Sequence, residues 1–554
     1  MTRAAATTHP TESAAAPLPG AASRAAATGG SATGGSAAGC AADLLLRWPR
    51  GVPLAALVSG GELHAQNAWS IFARPKETVV IPGTLAPAEA IARLEAALAR
   101  TPRVVPVPSR VPSSVPSTDA CMPVPSVPSI GGAMGQACSG SMRTPPFDGG
   151  WVVALGYSLG ACFEPRMSPA HRASPAPHAV LLWCEDAWCL DHSDGSLHAV
   201  GTPPPLAAEP SVEGSGAEGT GMSLPWRLTA LEPDTSDSHY AASVARTVEY
   251  IRAGDAFQAN VARRFSARIA GDLRTFAHAA ITENRAWFGA SIDLPGAFGT
   301  EGAAGEQTTP LASEHLVSMS PELFLRVRPD GTMVTRPIKG TRPSSVDARE
   351  LADSEKDAAE LAMIVDLMRN DLGRIAELGS VQVTSARVLE THRTVHHGVA
   401  EISARLRDDV DWTGMLAATF PPGSVTGAPK IRAMQIIEEL EPHTRGFYCG
   451  AIGFISRSGH AALSVAIRTA QIGPAPAACP VGGDEGTGKH AIADRTTGEG
   501  TEGTGKHSAA QPTLQPVRPV AYHAGCGIVV ESDPQSEVEE THAKARAIAQ
   551  LAAR

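Results

Sequence analysis

The sequence predicts an α+β fold, in which strands and helices mix without regular alternation. Short apolar runs with β-branched residues, bounded by turn residues, are typical of strands, as in CGAIGFIS and AGCGIVVES. Two longer stretches place apolar residues three or four positions apart, which is typical of amphipathic helices. The irregular order of these elements argues against a repeated βαβ arrangement.

The elements can be assigned in order along the chain. We expect strands in WVVALG, SVQVTSARVLE, CGAIGFIS, ALSVAIRTAQI and AGCGIVVES. The first predicted helix spans about residues 355–377, between a capping box at Ser354 and Asp357 and a stop at Gly379. Its apolar stripe consists of Leu361, Ile364, Met368, Leu372 and Ile375.

A second helix is predicted at the C-terminal end. Asp533 followed by Pro534 is a typical helix start. The expected packing stripe consists of Val538, Ala545, Ile548 and Leu551.

Composition divides the 554 residues into ordered parts and low-complexity segments. The chain contains 54 Gly and 45 Pro, which concentrate in particular stretches. We predict a disordered Ala/Gly-rich tail at 1–42, an N-terminal domain at 43–225 and a catalytic domain at 226–554. The predicted insertions are 106–146 (Pro/Ser-rich), 203–223, 296–313 and 473–518 (Gly-rich).

Charge and cysteine usage exclude several classes of partner. The 46 Lys+Arg and 56 Asp+Glu residues give a net charge of −10 without long basic runs, which disfavours nucleic acid and anionic membranes. No apolar run approaches the roughly 18 residues of a membrane span. Nine cysteines without a C-x-x-C spacing indicate reduced thiols and a cytoplasmic protein. The tail lacks the apolar region of a secretory signal, and although it is compatible with a transit peptide, disorder is the simpler interpretation.

Residues 156–160 fit the G-x-S-x-G pattern around a nucleophilic serine. That motif requires a helix directly after Ser158. Gly160 and Pro165 disfavour such a helix, so the hydrolase interpretation is weak.

Lys339 lies in TRPIKGTRP, where Pro337 and Gly340 predict a rigid, exposed turn. The neighbouring Arg336 and Arg342 would favour the neutral, nucleophilic amine. A solvated loop lysine explains the same pattern.

Glu537, Glu540 and Lys544 fall on one side of the C-terminal helix. Carboxylates at this spacing repel each other unless a cation lies between them, and oxygen ligands suit Mg²⁺. The alternative is a solvated face with one Glu–Lys pair.

Three further features allow a functional and a structural interpretation. Glu322 could be a general acid or a surface residue, and Glu360 alone is an ordinary helix glutamate. The small-residue turn at 423–430 precedes a helix and could present backbone N–H groups to an anion.

In combination, eight collinear stretches between Glu249 and Ile548 resemble the chorismate-utilising enzymes. This family includes component I of anthranilate and aminodeoxychorismate synthases, and the isochorismate and salicylate synthases. The stretches are YIRAGDAFQANVARRF, SMSPELFLRV, TRPIKGTRP, SEKDAAELAMIVDLMRNDLGRI, FPPGSVTGAPKIRAMQIIEELEP, RGFYCGAIGFIS, AIRTAQI and AGCGIVVESDPQSEVEETHAKARAI. GGWVVALGYSLG matches more weakly, and this match replaces the serine-nucleophile interpretation.

The resemblance implies a fold like that of anthranilate synthase component I, with two large, mostly antiparallel sheets packed together and helices outside. It implies Mg²⁺ held by Glu360 and Glu540, with Glu537 in or beside that shell, and chorismate as substrate. Glu322 would protonate the departing C4 hydroxyl, and His397 would lie near the reacting ring. The implied substrate-binding residues are Arg468, Tyr448, Ser424, Thr426, Gly525, Gly527 and Lys544.

Two positions separate the chemistries within the family. The water-adding members resemble each other in having a lysine base where this chain has Gln258, which disfavours hydroxylation. Anthranilate synthases have alanine in the middle of PI-x-GT, whereas this chain has Lys339, as the aminodeoxychorismate synthases do.

The resemblance therefore implies amination of chorismate at C4 through a lysine adduct at C2. Ammonia would come from a separate glutaminase subunit, and the product would serve para-aminobenzoate and folate synthesis. The alternative enzyme activity is anthranilate formation for tryptophan synthesis. A non-catalytic chorismate-binding subunit is a third hypothesis, which the presence of Glu322, Lys339, Glu360 and Glu540 argues against.

Overall fold

A computed structural model describes residues 37–59, 68–102, 144–164, 166–167, 174–207, 226–294, 314–391, 395–475 and 516–553. Residues 1–36 and most of each predicted insertion lie outside these ranges. The predictions of a disordered tail and of low-complexity insertions concern these residues, and they therefore fall outside the described part of the chain. Within the described ranges, no helix combines the length and the apolar character that crossing a membrane requires.

The described chain alternates irregularly between helices and strands. The helices are α1 (Ala37–Arg47), α2 (Pro87–Leu98), α3 (Leu159–Phe163), α4 (Asp237–Arg252), α5 (Leu273–Asn284), α6 (Ala348–Ala352), α7 (Glu355–Gly373), α8 (Trp412–Thr419), α9 (Lys430–Leu440) and α10 (Pro534–Ala552). The strands are β1 (Ala55–Val58), β2 (Trp69–Ile81), β3 (Gly150–Leu155), β4 (Ala179–Asp191), β5 (Leu197–Val200), β6 (Trp226–Leu228), β7 (Glu232–Pro233), β8 (Gln258–Gly271), β9 (Phe288–Asp293), β10 (His315–Ser320), β11 (Leu323–Val327), β12 (Thr332–Arg336), β13 (Ile338–Pro343), β14 (Gln382–Thr391), β15 (Val395–Arg405), β16 (Gly427–Ala428), β17 (Ala451–Ser456), β18 (Ala461–Val465), β19 (Thr469–Ile472) and β20 (Val517–Ile528).

The described strands form one connected antiparallel network. Its main path runs β8–β20–β19–β10–β9–β1–β2–β4–β3–β17–β18–β11–β12–β15–β14. The register of the β2–β4 pair shifts between Arg74 and Glu77, which marks a bulge. Before the bulge β2 pairs with β1, and beyond it the partner segment of β4 also pairs with β3. The bulged pair thus joins two halves of the sheet.

The two halves pack against each other and are covered by helices outside. One apolar cluster combines residues of β1, β2, β9 and β10 with residues of β3, β4 and β17. A second cluster packs α1, α5 and α10 on the β8–β20 half. A third packs α2, α7 and α8 on the β11–β15 half. This arrangement confirms the α+β prediction of two mostly antiparallel sheets with external helices.

Strands from both predicted domains alternate within this network. β1 pairs with β9, and β3 pairs with β17, although residue 225 lies between the partners in sequence. The described residues from Ala37 onward form one compact unit. The boundary near residue 225 therefore separates stretches of sequence and does not separate packed bodies.

The prediction of disorder is wrong for residues 37–42, which belong to a helix. α1 begins at Ala37, and Ala41 and Ala42 are fully buried against the β8–β20 half. Small residues suit this close packing, and their composition alone had suggested disorder to residue 42.

The predicted helices are found with small differences at their ends. α10 begins at Pro534, Asp533 caps it, and the whole predicted stripe is buried. Ser354 caps α7 as predicted, but the helix ends at Gly373, before the predicted end at 377.

Two local predictions were wrong. A helix, α3, does follow Ser158. Gly160 lies inside this helix and leaves room for Pro421, since a Cβ at this position would come within 2.3 Å of the proline ring. ALSVAIRTAQI forms two strands, because Arg468 adopts a left-handed conformation (φ 51°) between them.

Candidate active site

Lys339 lies in β13, which packs along β15. Gly340 has φ +79°, and a side chain at Gly398 would come within 2.5 Å of the Lys339 carbonyl oxygen. Both glycines therefore permit the path of β13. The Lys339 ammonium nitrogen lies 3.1 Å from the position that a Cβ would take at Gly527 of β20. Lys339 is thus partly buried within the sheet, and the prediction of an exposed turn was wrong.

Burial lowers the pKa of Lys339. Glu360, Glu322 and Glu540 oppose this effect, and Lys544 adds to it. The amine therefore lies among three carboxylates and one other ammonium group. Loss of a proton to give the nucleophilic amine is easier here than in water.

The arginines predicted to make Lys339 nucleophilic are engaged elsewhere. Arg336 forms ion pairs with Glu390 and Glu401, and Arg342 pairs with Asp357 at 2.8 Å. Their charges are therefore compensated. The lowered pKa of the lysine comes from desolvation, which sequence neighbours do not reveal.

Glu322 lies between β10 and β11 and is 5% exposed. Burial raises its pKa to about 7, although Ser424, Lys339 and the backbone of Ile338 favour the carboxylate. Ser424 belongs to a 3₁₀ turn, 423–425, whose Gly423 packs against α7. A carboxyl group with a pKa near 7 is suited to give and take a proton at neutral pH.

His397 of β15 lies beside the lysine strand. It is paired in register with Thr341, and Thr341 Oγ1 lies 2.9 Å from His397 Nδ1. His397 is 4% exposed. The structure thus holds this imidazole two residues along β13 from Lys339.

Helix α7 carries Glu360 and helix α10 carries Glu537 and Glu540, and the charges of Glu360 and Glu540 act on the lysine amine. Oxygens of Glu537 and Glu540 and the sulfur of Cys526 lie within 4.8 Å of one another. Burial raises the pKa of Glu360, and Glu537 contributes to this rise. The proximity of these acids creates a repulsion that a cation would relieve.

The donor set fits Mg²⁺. Burial raises the pKa of the Cys526 thiol, which donates weakly to the Glu537 carbonyl, so it stays protonated. The remaining donors are carboxylate oxygens, which hard divalent cations prefer. The Lys544 ammonium lies 2.7 Å from the Glu540 carboxylate and partly balances its charge. Burial alone would raise the pKa of Glu540, but Lys544 and Lys339 outweigh it, and the pKa is lowered.

The predicted carboxylate-binding residues surround β20. Lys544 Nζ donates to the Gly525 carbonyl at 2.7 Å. Burial raises the pKa of Tyr522 in β20 to about 12, although the charges of Lys544 and of Arg468, which has the left-handed conformation, oppose this rise. Such a strained non-glycine backbone is frequent at functional sites. Tyr448 is buried and stacks on His523 at 5.2 Å.

Two residues of the predicted turn have structural contacts. Thr426 is fully buried, and its hydroxyl donates to the carbonyls of Pro422 and Gly423. Lys430 donates to Asp371 at 2.6 Å and to the Thr419 carbonyl. These hydrogen bonds stabilise the turn at the start of α9.

The sequence did not single out His523. It precedes Gly525 by two positions, and residues two apart in a strand lie on the same face, so His523 and Gly525 share one face of β20. This alternation within AYHAGCG was the available signal. Gln258 also faces this region: its side-chain nitrogen lies 1.9 Å from a Cβ position at Gly527, and its oxygen is buried without a partner among the described residues.

The sequence matches a known protein family over most of its length. The family described as "chorismate binding enzyme" matches residues 130–484 and 514–550. Aminodeoxychorismate synthase component 1 of Klebsiella aerogenes is 37% identical over 346 residues, which cover 61% of this chain and 72% of that protein. Anthranilate synthase component 1 of Acinetobacter calcoaceticus is 31% identical over 424 residues, covering 73% and 74% of the two chains.

A solved structure extends the similarity to the fold. Anthranilate synthase component I from Streptococcus pneumoniae aligns with a TM-score of 0.53 and 27% identity, covering 74% of this chain and 83% of that one. The family match spans more than half of the chain and includes the strands and helices that carry the site. The chain therefore belongs to the chorismate binding enzymes.

Proposed function

We propose that this chain is the synthase component of an aminodeoxychorismate synthase, which aminates chorismate at C4. The observation that carries the proposal is the Lys339 amine, desolvated within the sheet beside Glu322. Relatives named aminodeoxychorismate synthase component 1 are 36–37% identical to this chain. A buried lysine of lowered pKa is suited to covalent catalysis.

The first half of the reaction forms a covalent adduct. The neutral Lys339 amine attacks C2 of chorismate, the two ring double bonds shift, and the C4 hydroxyl leaves. The protonated Glu322 carboxyl gives its proton to that hydroxyl, so water departs. The pKa of Glu322, about 7, keeps a substantial fraction protonated at neutral pH.

The second half replaces lysine with ammonia. Ammonia attacks C4, the double bonds shift back, and the bond between C2 and Lys339 breaks. Glu322, now a carboxylate, accepts the proton that the new amine loses, and the amine of Lys339 is regenerated. The product is 4-amino-4-deoxychorismate, and both residues are ready for another turnover.

The binding groups hold the two carboxylates of the substrate. Arg468, Tyr448 and the β20 backbone near Gly525 and Gly527 bind the enolpyruvyl carboxylate. Glu360 and Glu540, with Glu537 beside them, would hold Mg²⁺. When bound, the ion neutralises the ring carboxylate and fixes its position.

We propose that ammonia comes from a separate glutaminase subunit and that the product leads to para-aminobenzoate and folate. The name component 1 of the relatives implies a second component. The described cysteines are free and buried, which fits a reducing cytoplasmic location.

Anthranilate formation is the second candidate. The similarity to anthranilate synthase component 1 covers a larger share of this chain, 73%. That reaction needs ammonia at C2, the position that the Lys339 amine would occupy. The lysine therefore favours amination at C4.

Product identification tests the proposal. Purified protein is given chorismate, MgCl₂ and ammonium chloride, and the products are separated and identified by mass. We expect 4-amino-4-deoxychorismate. Accumulation of fluorescent anthranilate without an added lyase would refute the assignment.

A further inference from the structure

The side-chain amide of Gln258 lies beside the Lys339 amine in the interior of the sheet. Gln258 is the first residue of β8 and is 1% exposed. Its side-chain nitrogen lies 1.9 Å, and the Lys339 nitrogen 3.1 Å, from the position that a Cβ would take at Gly527. The two nitrogens are therefore at most about 5 Å apart, since both surround the same point. Only a glycine at position 527 leaves this space to them.

The backbone of Gln258 is fixed on both sides. On one side β16 pairs with β8 through Ala428 and Gln258, and the Phe257 N–H donates to the Ala428 carbonyl at 2.7 Å. On the other side β20 pairs with β8 through Ile528 and Ala259. The side chain of Gln258 thus starts from a rigid point, and only its own torsions decide where the amide lies.

The amide oxygen of Gln258 is buried without a hydrogen-bond partner among the described residues. Leaving a buried acceptor unpaired costs about 1–3 kcal/mol, and folded proteins pair the large majority of such groups. The amide carries an acceptor oxygen and a donor nitrogen, which exchange places when it turns about its last side-chain bond. In the turned orientation the oxygen faces the Lys339 amine, which has N–H groups to donate.

The Lys339 amine has no direct polar partner in the part of the chain that the structure describes. Glu322, Glu360 and Glu540 act on it through their charges, but no ion pair or hydrogen bond joins any of these described carboxylates to it. A carboxylate in direct contact would hold the proton on the amine, and the ammonium form cannot attack. An uncharged amide oxygen accepts an N–H bond without adding a charge. Gln258 is therefore suited to orient the amine and to leave it reactive.

We infer that Gln258 is a positioning residue for Lys339: its side-chain oxygen accepts a hydrogen bond from the amine and directs the nitrogen lone pair at C2 of chorismate. The inference rests on the proposed function, in which Lys339 forms the covalent bond. During the attack the N–C2 bond forms, the ring double bonds shift, and the C4–O bond breaks with the proton from Glu322. The nitrogen keeps both of its hydrogens in the adduct, so its bond to Gln258 persists through the step.

Gln258→Met tests the inference, because methionine has nearly the length of glutamine but no amide. The protein is mixed with chorismate and MgCl₂ without ammonium, and adduct formation is followed by intact-protein mass. We expect the adduct to form about 10- to 100-fold more slowly than in wild type, since a misdirected nucleophile rarely reaches the attack geometry. KM for chorismate, measured with saturating ammonium chloride, should stay within about twofold of the wild-type value. An unchanged adduct rate, with or without a change in KM, would overturn the inference.

A second measurement separates the orientation of the amine from its reactivity. Acetic anhydride is small and does not depend on one fixed direction of attack. Acetylation of Lys339 without chorismate, measured on the peptide that contains it, should be at least as fast in Gln258→Met as in wild type. An acetylation rate that falls as far as the adduct rate would overturn the inference, because the amine would then have lost its reactivity and not its orientation.

The matched control is Gln382→Met at an exposed position of β14, which should form the adduct at the wild-type rate. Circular dichroism establishes whether each variant is folded. If Gln258→Met does not fold, Gln258→Asn decides in its place. Its amide is one methylene shorter and falls short of the Lys339 amine, so the adduct should form severalfold more slowly. An unchanged rate in Gln258→Asn would overturn the inference.

Failure of this inference is distinguishable from failure of the proposed function, because the two appear in different proteins. If wild type itself forms no adduct with chorismate, the proposed function fails and the role of Gln258 fails with it. If wild type forms the adduct and Gln258→Met forms it equally fast, only the role of Gln258 fails.

Discussion

The reactivity of Lys339 depends on the groups around its amine. Desolvation favours the neutral form, whereas Glu322, Glu360 and Glu540 favour the ammonium form. The candidate residues of the site could be predicted from the motifs. Their environment could not, because Arg336 and Arg342 are adjacent in sequence but paired with other acids in space.

Glu322→Gln should slow formation of the lysine adduct by about 10²- to 10⁴-fold, because the amide cannot protonate the departing hydroxyl. In wild type, the rate should fall as pH rises above about 7, where Glu322 loses its proton. The variant should lack this decline. Stopped reactions analysed by intact mass from pH 6 to about pH 9 measure both effects; an alkaline decline that persists in the variant would assign the acid to another group.

The same substitution should change the pH dependence of stability. The pKa of Glu322 is about 7 in the folded protein and near 4.5 when unfolded. The contribution of Glu322 to the free energy of unfolding of the wild type is therefore fully present below about pH 4.5. This contribution, about 3 kcal/mol, is lost as the pH rises through 7.

Urea denaturation at pH 5 and pH 8 should accordingly show that Glu322→Gln gains stability relative to wild type at the higher pH. Glu539→Gln, an exposed change on α10, is the control and should follow wild type. Parallel behaviour of all three proteins would contradict the raised pKa.

At the scale of elements, the site is assembled where strand ends and helix faces meet. β13 supplies Lys339, α7 supplies Glu360, and α10 supplies Glu537, Glu540 and Lys544. The helix faces were predictable because capping and apolar spacing fix which residues point inward. The break between β18 and β19 at Arg468 was not predictable, because its left-handed conformation depends on contacts outside the local sequence.

Mg²⁺ binding should depend on both helices. Glu360→Gln and Glu540→Gln should each weaken binding of MgCl₂ at least about tenfold in isothermal titration, since each removes a charged oxygen ligand. Glu539→Gln should bind like wild type. Equal affinities for Glu540→Gln and Glu539→Gln would contradict the assignment of the cluster.

At the scale of the whole molecule, the N-terminal strands are part of the same sheet as the strands of the candidate site. β1 and β3 cover the edges of β9 and β17, and residues from all four share one apolar core. Sequence composition could not reveal this, because paired strands lie more than 200 residues apart and local patterns do not specify distant partners.

A fragment of residues 226–554 should therefore fail to fold alone. It would expose the edges of β9 and β17 and the apolar face between the sheet halves, which favours aggregation. Coexpression with 37–225 should restore soluble, active protein. Circular dichroism and size-exclusion chromatography provide the readout, and a monomeric, cooperatively folding fragment 226–554 would contradict this prediction.

The central claim is that Lys339 forms a covalent bond with the substrate. Intact-protein mass after mixing with chorismate and MgCl₂, without ammonia, tests it most directly. We expect wild type to gain the mass of chorismic acid less one water and to lose it when ammonium is added, and peptide masses after digestion should place the gain on the peptide containing Lys339. Lys339→Ala should gain no mass and form almost no aminodeoxychorismate. Unmodified wild type during normal turnover, or unchanged turnover by Lys339→Ala, would contradict the account.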